Sequence, residues 1–239
     1  MEPDIRYEDE DVLVCLKPAG LASQTADITK PDMITLVRKY MKDKGAKVKE
    51  PGLIHRLDQP VCGLMLFSKN ERSLKELNRQ LREGKIRKRY YAIVEGLIEG
   101  EEDKGYELVN LIDKDKKNNK ALVYDTGSGK NDDPRTPDAK GSAKKAVLVY
   151  RIIKKYPQKD LTLLDIDLKT GRFHQIRAQL SHMGHPVICD VKYGGHEKIG
   201  QGIGLYAYSL SFLQPKSGKE ITVEVSEKSL GMADFLGNL

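Results

Sequence analysis

The chain has 239 residues, 39% hydrophobic and 32% charged, which is enough apolar material for a substantial core and too much for a disordered chain. Its 41 Lys and Arg against 35 Asp and Glu leave a net charge of +6, the balance of a protein that meets a polyanion. The acidic start MEPDIRYEDED, and the lack of any run near the ~18 apolar residues of a membrane span, point away from a secretory leader and from insertion in a membrane. Cys15, Cys62 and Cys189 are widely spaced and form no CxxC pair, so neither a disulfide framework nor a thiolate zinc site is indicated and a reducing cytoplasm is expected.

In chain order, the apolar run 12–16 predicts a strand that Lys17-Pro18-Ala19-Gly20 turns aside. Ile34, Val37 and Met41 predict a helix over 32–43 with Asp32 as its N-cap. Residues 63–68 read as a buried strand, and Leu74, Leu77 and Leu81 as the apolar stripe of a helix that Gly84 ends. Further strands are predicted at 91–94, 146–153, 161–168, 205–212 and 221–225. Residues 113–145, rich in Asp, Lys, Asn, Gly and Pro, read as basic, flexible excursions around a short strand at 121–124. The expectation is one α+β domain over residues 1–239, with a large, mostly antiparallel sheet.

Three stretches carry candidate chemistry. The first is the polar cluster His55-Arg56-Leu57-Asp58, set between a Pro-Gly turn and a hydrophobic strand. A loop held by a rigid sheet is a usual seat for catalytic groups, and Arg56 beside Asp58 offers an ionised acid in cationic surroundings. A turn-capping Asp with a solvated Arg reads the same residues without function. The second is 168–180, a strand end, a Gly171 turn and a helix start where Arg177 shares a face with His174 and Ser181. A solvated helix face accounts for it equally. The third is the basic run 79–89, six cations ending in Tyr90-Tyr91, which suits RNA because cations track phosphates while rings stack on splayed bases; it also suits a plain solvated face. His174, His182 and His185 lack the spacing of a metal site, and Cys62 at a strand entrance reads as a small buried residue instead of a nucleophile.

Taken in order, HRLDQPVCGLMLFSK (55–69), KRYYAIVEG (88–96) and TGRFHQIRAQLSHMGHPVICDVKYG (170–194) resemble the ordered motifs of RluA-type pseudouridine synthases. EDEDVLVCLKPAGLASQ (8–24) and LYAYSLSFLQP (205–215) resemble that family's opening and closing strands, so the likeness covers nearly the whole chain. The resemblance implies the pseudouridine synthase catalytic fold, with helices and loops flanking the sheet and an active-site cleft across it. It implies isomerisation of uridine to pseudouridine in ribosomal or transfer RNA, with no cofactor and no metal. On the matching positions, Asp58 takes the role of the catalytic carboxylate, Tyr90 stacks on the target base, Arg177 pairs with Asp58, and Arg56 contacts the RNA and helps hold the target nucleotide out of its stack. A monomer without an N-terminal S4-like module is expected. The family often has Thr-Ser where Val61-Cys62 stand, and His where Tyr206 and Gln214 stand.

A non-catalytic RNA-binding protein on the same fold has no need for Asp58, Tyr90 and Arg177 together. A glycoside or nucleoside hydrolase normally needs two carboxylates, of which the HRLD loop supplies one, and a zinc deaminase needs an HxE with a PCxxC partner that this sequence lacks.

Overall fold

The computed structural model describes residues 2–27, 29–45, 50–126, 142–196, 202–232 and 237. The chain divides into two compact units, residues 1–90 with 199–239, and residues 91–198. The division falls inside one strand, β5 (Arg87–Glu95).

In the first unit, β1 (Asp4–Glu8), β2 (Val12–Lys17), β4 (Cys62–Ser68), β10 (Leu205–Leu213) and β11 (Glu220–Glu224) pair in turn, with the two-residue β3 (Gly52–Leu53) also on β4. Of these pairings, β4 with β10 is parallel and the others are antiparallel. That parallel contact is very close. At Gly63, where φ is +147°, a Cβ would stand 2.5 Å from both the backbone N and O of Ala207, so only glycine lets β10 approach there. β2 is buried along its whole length, Val12 to Leu16 supplying five apolar side chains, each stabilising by roughly 1.5–3 kcal/mol when fully buried.

Two helices flank these strands. In α1 (Met33–Asp43) Asp32 is the N-cap, accepting from Thr35 N–H at 2.8 Å, and Met33, Ile34, Val37 and Met41 are buried. In α2 (Glu71–Arg82) Asn70 caps Ser73 N–H at 2.9 Å, and Gly84, at φ +68°, follows the helix end. Gln80 on α2 is fully buried because its amide does the work of a strand: Nε2 donates to Leu213 O at 2.8 Å and Oε1 accepts from Leu213 N–H at 2.9 Å.

In the second unit, β6 (Tyr106–Asp115), β7 (Lys120–Asp125), β8 (Lys144–Tyr156) and β9 (Leu161–Leu168) form an antiparallel set in the order β9-β8-β6-β7, with α3 (Gln175–His182) beside it. Ile112, Ala121, Ala146, Ala178 and Tyr193 make a core cluster there. No described helix is long and apolar enough to cross a membrane.

The α+β, mostly antiparallel reading is as expected, with differences of detail. β1 and β6 were not predicted: β1 is short and acidic, and β6 carries a buried polar residue, Asn110, where an apolar one would have marked the strand. β8 runs beyond 153 because a bulge between Ile152 and Lys154 resets its register on β9. Within 113–145, 113–115 end β6 and 120–125 form β7, which contains the expected strand at 121–124, and Asp115 Oδ1 accepts from Lys117 and Asn118 N–H to shape the turn between them. Residues 127–141 lie outside the described residues, and 144–145 open β8.

Candidate active site

Asp58 sits on the loop between β3 and β4, half-buried, at the start of a turn in which Val61 N–H donates to Asp58 O at 3.0 Å. The residues on either side are tied to the segment after β2. Lys17, at the end of β2, has 0% exposure, and its ammonium donates to Pro18 O at 2.9 Å, Leu21 O at 2.7 Å and Gln59 O at 3.0 Å. Burial pushes its pKa down to about 8, while the negative charge of Asp58 acts to raise it. At neutral pH the lysine is therefore cationic, as three carbonyl acceptors require.

That depressed pKa gives a pH prediction. Between about 8 and the ordinary 10.5, the unfolded chain binds this proton and the folded chain does not. Stability from this group therefore rises with pH across that window. The stability difference between wild type and Lys17→Met, from denaturant midpoints, should shift in favour of wild type as pH is raised through it. A difference independent of pH would contradict the assignment.

Tyr90, the last residue of the first unit, is 5% exposed, and burial, with the charge of Asp58 as a second cause, pushes its phenol pKa up, so it is a neutral hydroxyl-bearing ring. Arg56 is exposed. His55 accepts from Leu66 N–H at Nε2 (3.3 Å), which places its proton on Nδ1, a buried atom without a hydrogen-bond partner among the described residues. Burial first, and the Lys88 charge second, push its pKa down to about 3, so this histidine is neutral. Burial likewise raises the Cys62 thiol pKa, which fits a structural residue and not a nucleophile.

The basic run is not a row of unpaired cations. Arg79 bridges Glu76 and Glu83, Lys85 pairs with Glu83, and Arg87 pairs with Glu220. Lys88 lies where burial lowers its pKa, and Arg89 stands 5.5 Å from the centre of the Tyr208 ring. The pairs of Arg79, Lys85 and Arg87 are exposed and individually weak, so phosphates can compete for those cations. Gln214 shapes the turn after β10, accepting from Lys216 and Ser217 N–H and donating to Asp11 Oδ2 at 3.0 Å.

In the second unit, Arg177 is buried on α3 and held by Asp190 through two bonds, Nε to Oδ2 at 2.6 Å and Nη2 to Oδ1 at 2.8 Å. Its guanidinium lies 5.0 Å from the centre of the Tyr193 ring. The Tyr193 hydroxyl accepts from Ala121 N–H at 2.7 Å and meets His174 Nδ1 at 2.9 Å. His174 precedes the helix in the left-handed region, at φ 50°, with its ring stacked on Phe173 at 3.8 Å. Sequence reasoning singled out Arg177 but missed Asp190 and Tyr193. The available signal was a lone carboxylate in the apolar stretch Val187-Ile188-Cys189-Asp190-Val191. It also missed Lys17 and Ser23, which looked like an ordinary strand end and turn.

A family model described as RNA pseudouridylate synthase matches residues 11–182. An RNA pseudouridine synthase of Bacillus subtilis, YlyB, is 32% identical over the whole of this chain and 73% of that protein. One from Aquifex aeolicus is 31% identical over 94% of this chain and 69% of its own length, and the tRNA pseudouridine synthase C of Haemophilus ducreyi is 30% identical over 93% and 90%. Ribosomal large subunit pseudouridine synthase C of Buchnera aphidicola is similar at 31% identity. Among solved structures, human RNA pseudouridylate synthase domain containing 4 superposes with a TM-score of 0.74 at 19% identity, covering 93% of this chain and 88% of that one, which establishes the likeness of fold. The chain thus belongs to the RNA pseudouridylate synthase family, and it is an RNA-modifying isomerase.

Proposed function

We propose that this enzyme converts specific uridines of ribosomal or transfer RNA to pseudouridine, with Asp58 as the catalytic carboxylate. The observation that carries the assignment is local to the first unit: a half-buried carboxylate in the HRLD stretch, on a loop pinned on either side by hydrogen bonds from Ser23 to Leu57 and from the buried Lys17 ammonium to Gln59. The reaction breaks the bond from uracil N1 to ribose C1′, turns the freed base, and rejoins it through C5. An ionised Asp58 either attacks C1′ or removes the C2′ proton to give a glycal. Tyr90 is suited to stack on the base and keep water from it, so that the detached uracil rejoins the sugar where hydrolysis would otherwise compete.

Arg177 as the cationic partner of Asp58, and Arg56 as an RNA contact, rest on the motif match; the exposure of Arg56 suits its role. Extruding the uridine costs a few kcal/mol, least in a loop or bulge, and the exposed cations of 79–87 are placed to offset it through phosphates. The choice of ribosomal or transfer RNA follows from the similar enzymes named for each. The three free cysteines suit a reducing cytoplasm, and we infer a monomer there.

Chemical mapping of pseudouridine in total RNA, from cells deleted for the gene and then supplied with wild type or Asp58→Ala, tests this directly. Loss at one or a few sites, restored by wild type alone, is the expected outcome and names the substrate. An unchanged map in every RNA class would leave only RNA binding.

A further inference from the structure

Asp58 lies between two residues whose backbones are both held from outside the loop. Ser23 Oγ donates to Leu57 O at 2.6 Å and accepts from Leu57 N–H at 3.0 Å, so one hydroxyl satisfies both backbone groups of the residue before Asp58. On the far side, Gln59 O accepts from Lys17 Nζ at 3.0 Å and from Gly20 N–H at 2.9 Å, and Gln59 Nε2 returns a bond to Gly20 O at 2.9 Å. Ser23 is 4% exposed and Leu57 7%, so water is a poor substitute for these bonds. A side chain that closes on Leu57 alone lets the chain be fixed at one residue and turn at the next.

We propose that Ser23 is a positioning residue for the isomerisation, its hydroxyl fixing the Leu57 peptide groups and thereby the direction in which Asp58 presents its carboxylate. The proposal rests on the reading of Asp58 as the catalytic group. Displacement of a catalytic group by about 1 Å costs on the order of a hundredfold in rate, whereas RNA affinity comes chiefly from phosphate contacts elsewhere. Ser23 therefore acts on the chemical step and not on binding.

The test measures single-turnover tritium release from pooled, unmodified transcripts of the host's large-subunit ribosomal RNA and transfer RNAs, labelled at uracil C5. Filter binding of the same transcripts and thermal melting run alongside, with assays below the lowest melting temperature. Ser23→Ala is expected to lower the rate roughly tenfold to a hundredfold at unchanged RNA affinity, and Ser23→Thr, which keeps the hydroxyl, to recover most of it. Should Ser23→Ala fail to fold, Ser23→Cys takes its place, with a weaker donor and acceptor of similar size. An intermediate rate then supports the proposal and a wild-type rate overturns it. A wild-type rate in Asp58→Ala would overturn the catalytic assignment and this proposal together. An inactive Asp58→Ala beside a Ser23→Ala rate within about twofold of wild type, or a Ser23→Ala loss matched by lost affinity, would overturn the Ser23 role alone.

Discussion

Asp58→Ala and Asp58→Asn are each expected to slow isomerisation by at least about a thousandfold while leaving the protein folded and able to bind RNA. The separation follows from how the loop is built. Among its anchors are the backbone groups of Leu57 and Gln59 and the carbonyl of Asp58 itself, which shortening or neutralising the side chain leaves in place. The asparagine variant is the sharper of the two, since it keeps the shape of the side chain and removes only its capacity to ionise. Both variants also remove a negative charge that raises the pKa values of Lys17 and Tyr90, so each of those groups should titrate lower than in wild type. Tritium release, filter binding and a melting curve on the same preparations check the claim. Turnover within tenfold of wild type in Asp58→Asn would remove the carboxylate from the mechanism.

The regular elements were legible wherever burial and periodicity agreed. Val12–Lys17 and Cys62–Ser68 are nearly continuous apolar runs, and α1 and α2 announce themselves by stripe, N-cap and terminal glycine. β6 was illegible because its inward Asn110 is a polar residue made tolerable by partners distant in sequence, Asp125 Oδ1 at 3.1 Å and Gln179 Nε2 at 2.7 Å. The candidate site divides the same way. Asp58, Arg56, Tyr90 and Arg177 stand in motifs whose order could be read. Lys17, Ser23 and Asp190 act through bonds to residues 42, 34 and 13 positions away, and local pattern carries no trace of such bonds. The basic run is a like case, since its sequence displays six cations and the fold pairs Arg79, Lys85 and Arg87 with carboxylates, of which Glu76 and Glu220 lie outside the run.

Asp190 carries the largest expected effect on stability. Its carboxylate is 2% exposed and the Arg177 guanidinium 5%, so neither charge can turn to water if the other is removed. Removing one partner of a buried ion pair costs about 3–5 kcal/mol. The stacked Tyr193 ring recovers only a fraction of that. Asp190→Ala and Arg177→Met should therefore each lower the unfolding free energy by roughly that amount. The double variant should cost clearly less than their sum, because it removes both charges at once. Denaturant unfolding of the four proteins closes the cycle. If both single variants lose less than about 1 kcal/mol, the pair is as weak as an exposed one and its burial has no energetic consequence. If the cycle closes as expected, Asp190 is a main stabiliser of the buried, permanently charged Arg177 guanidinium on α3.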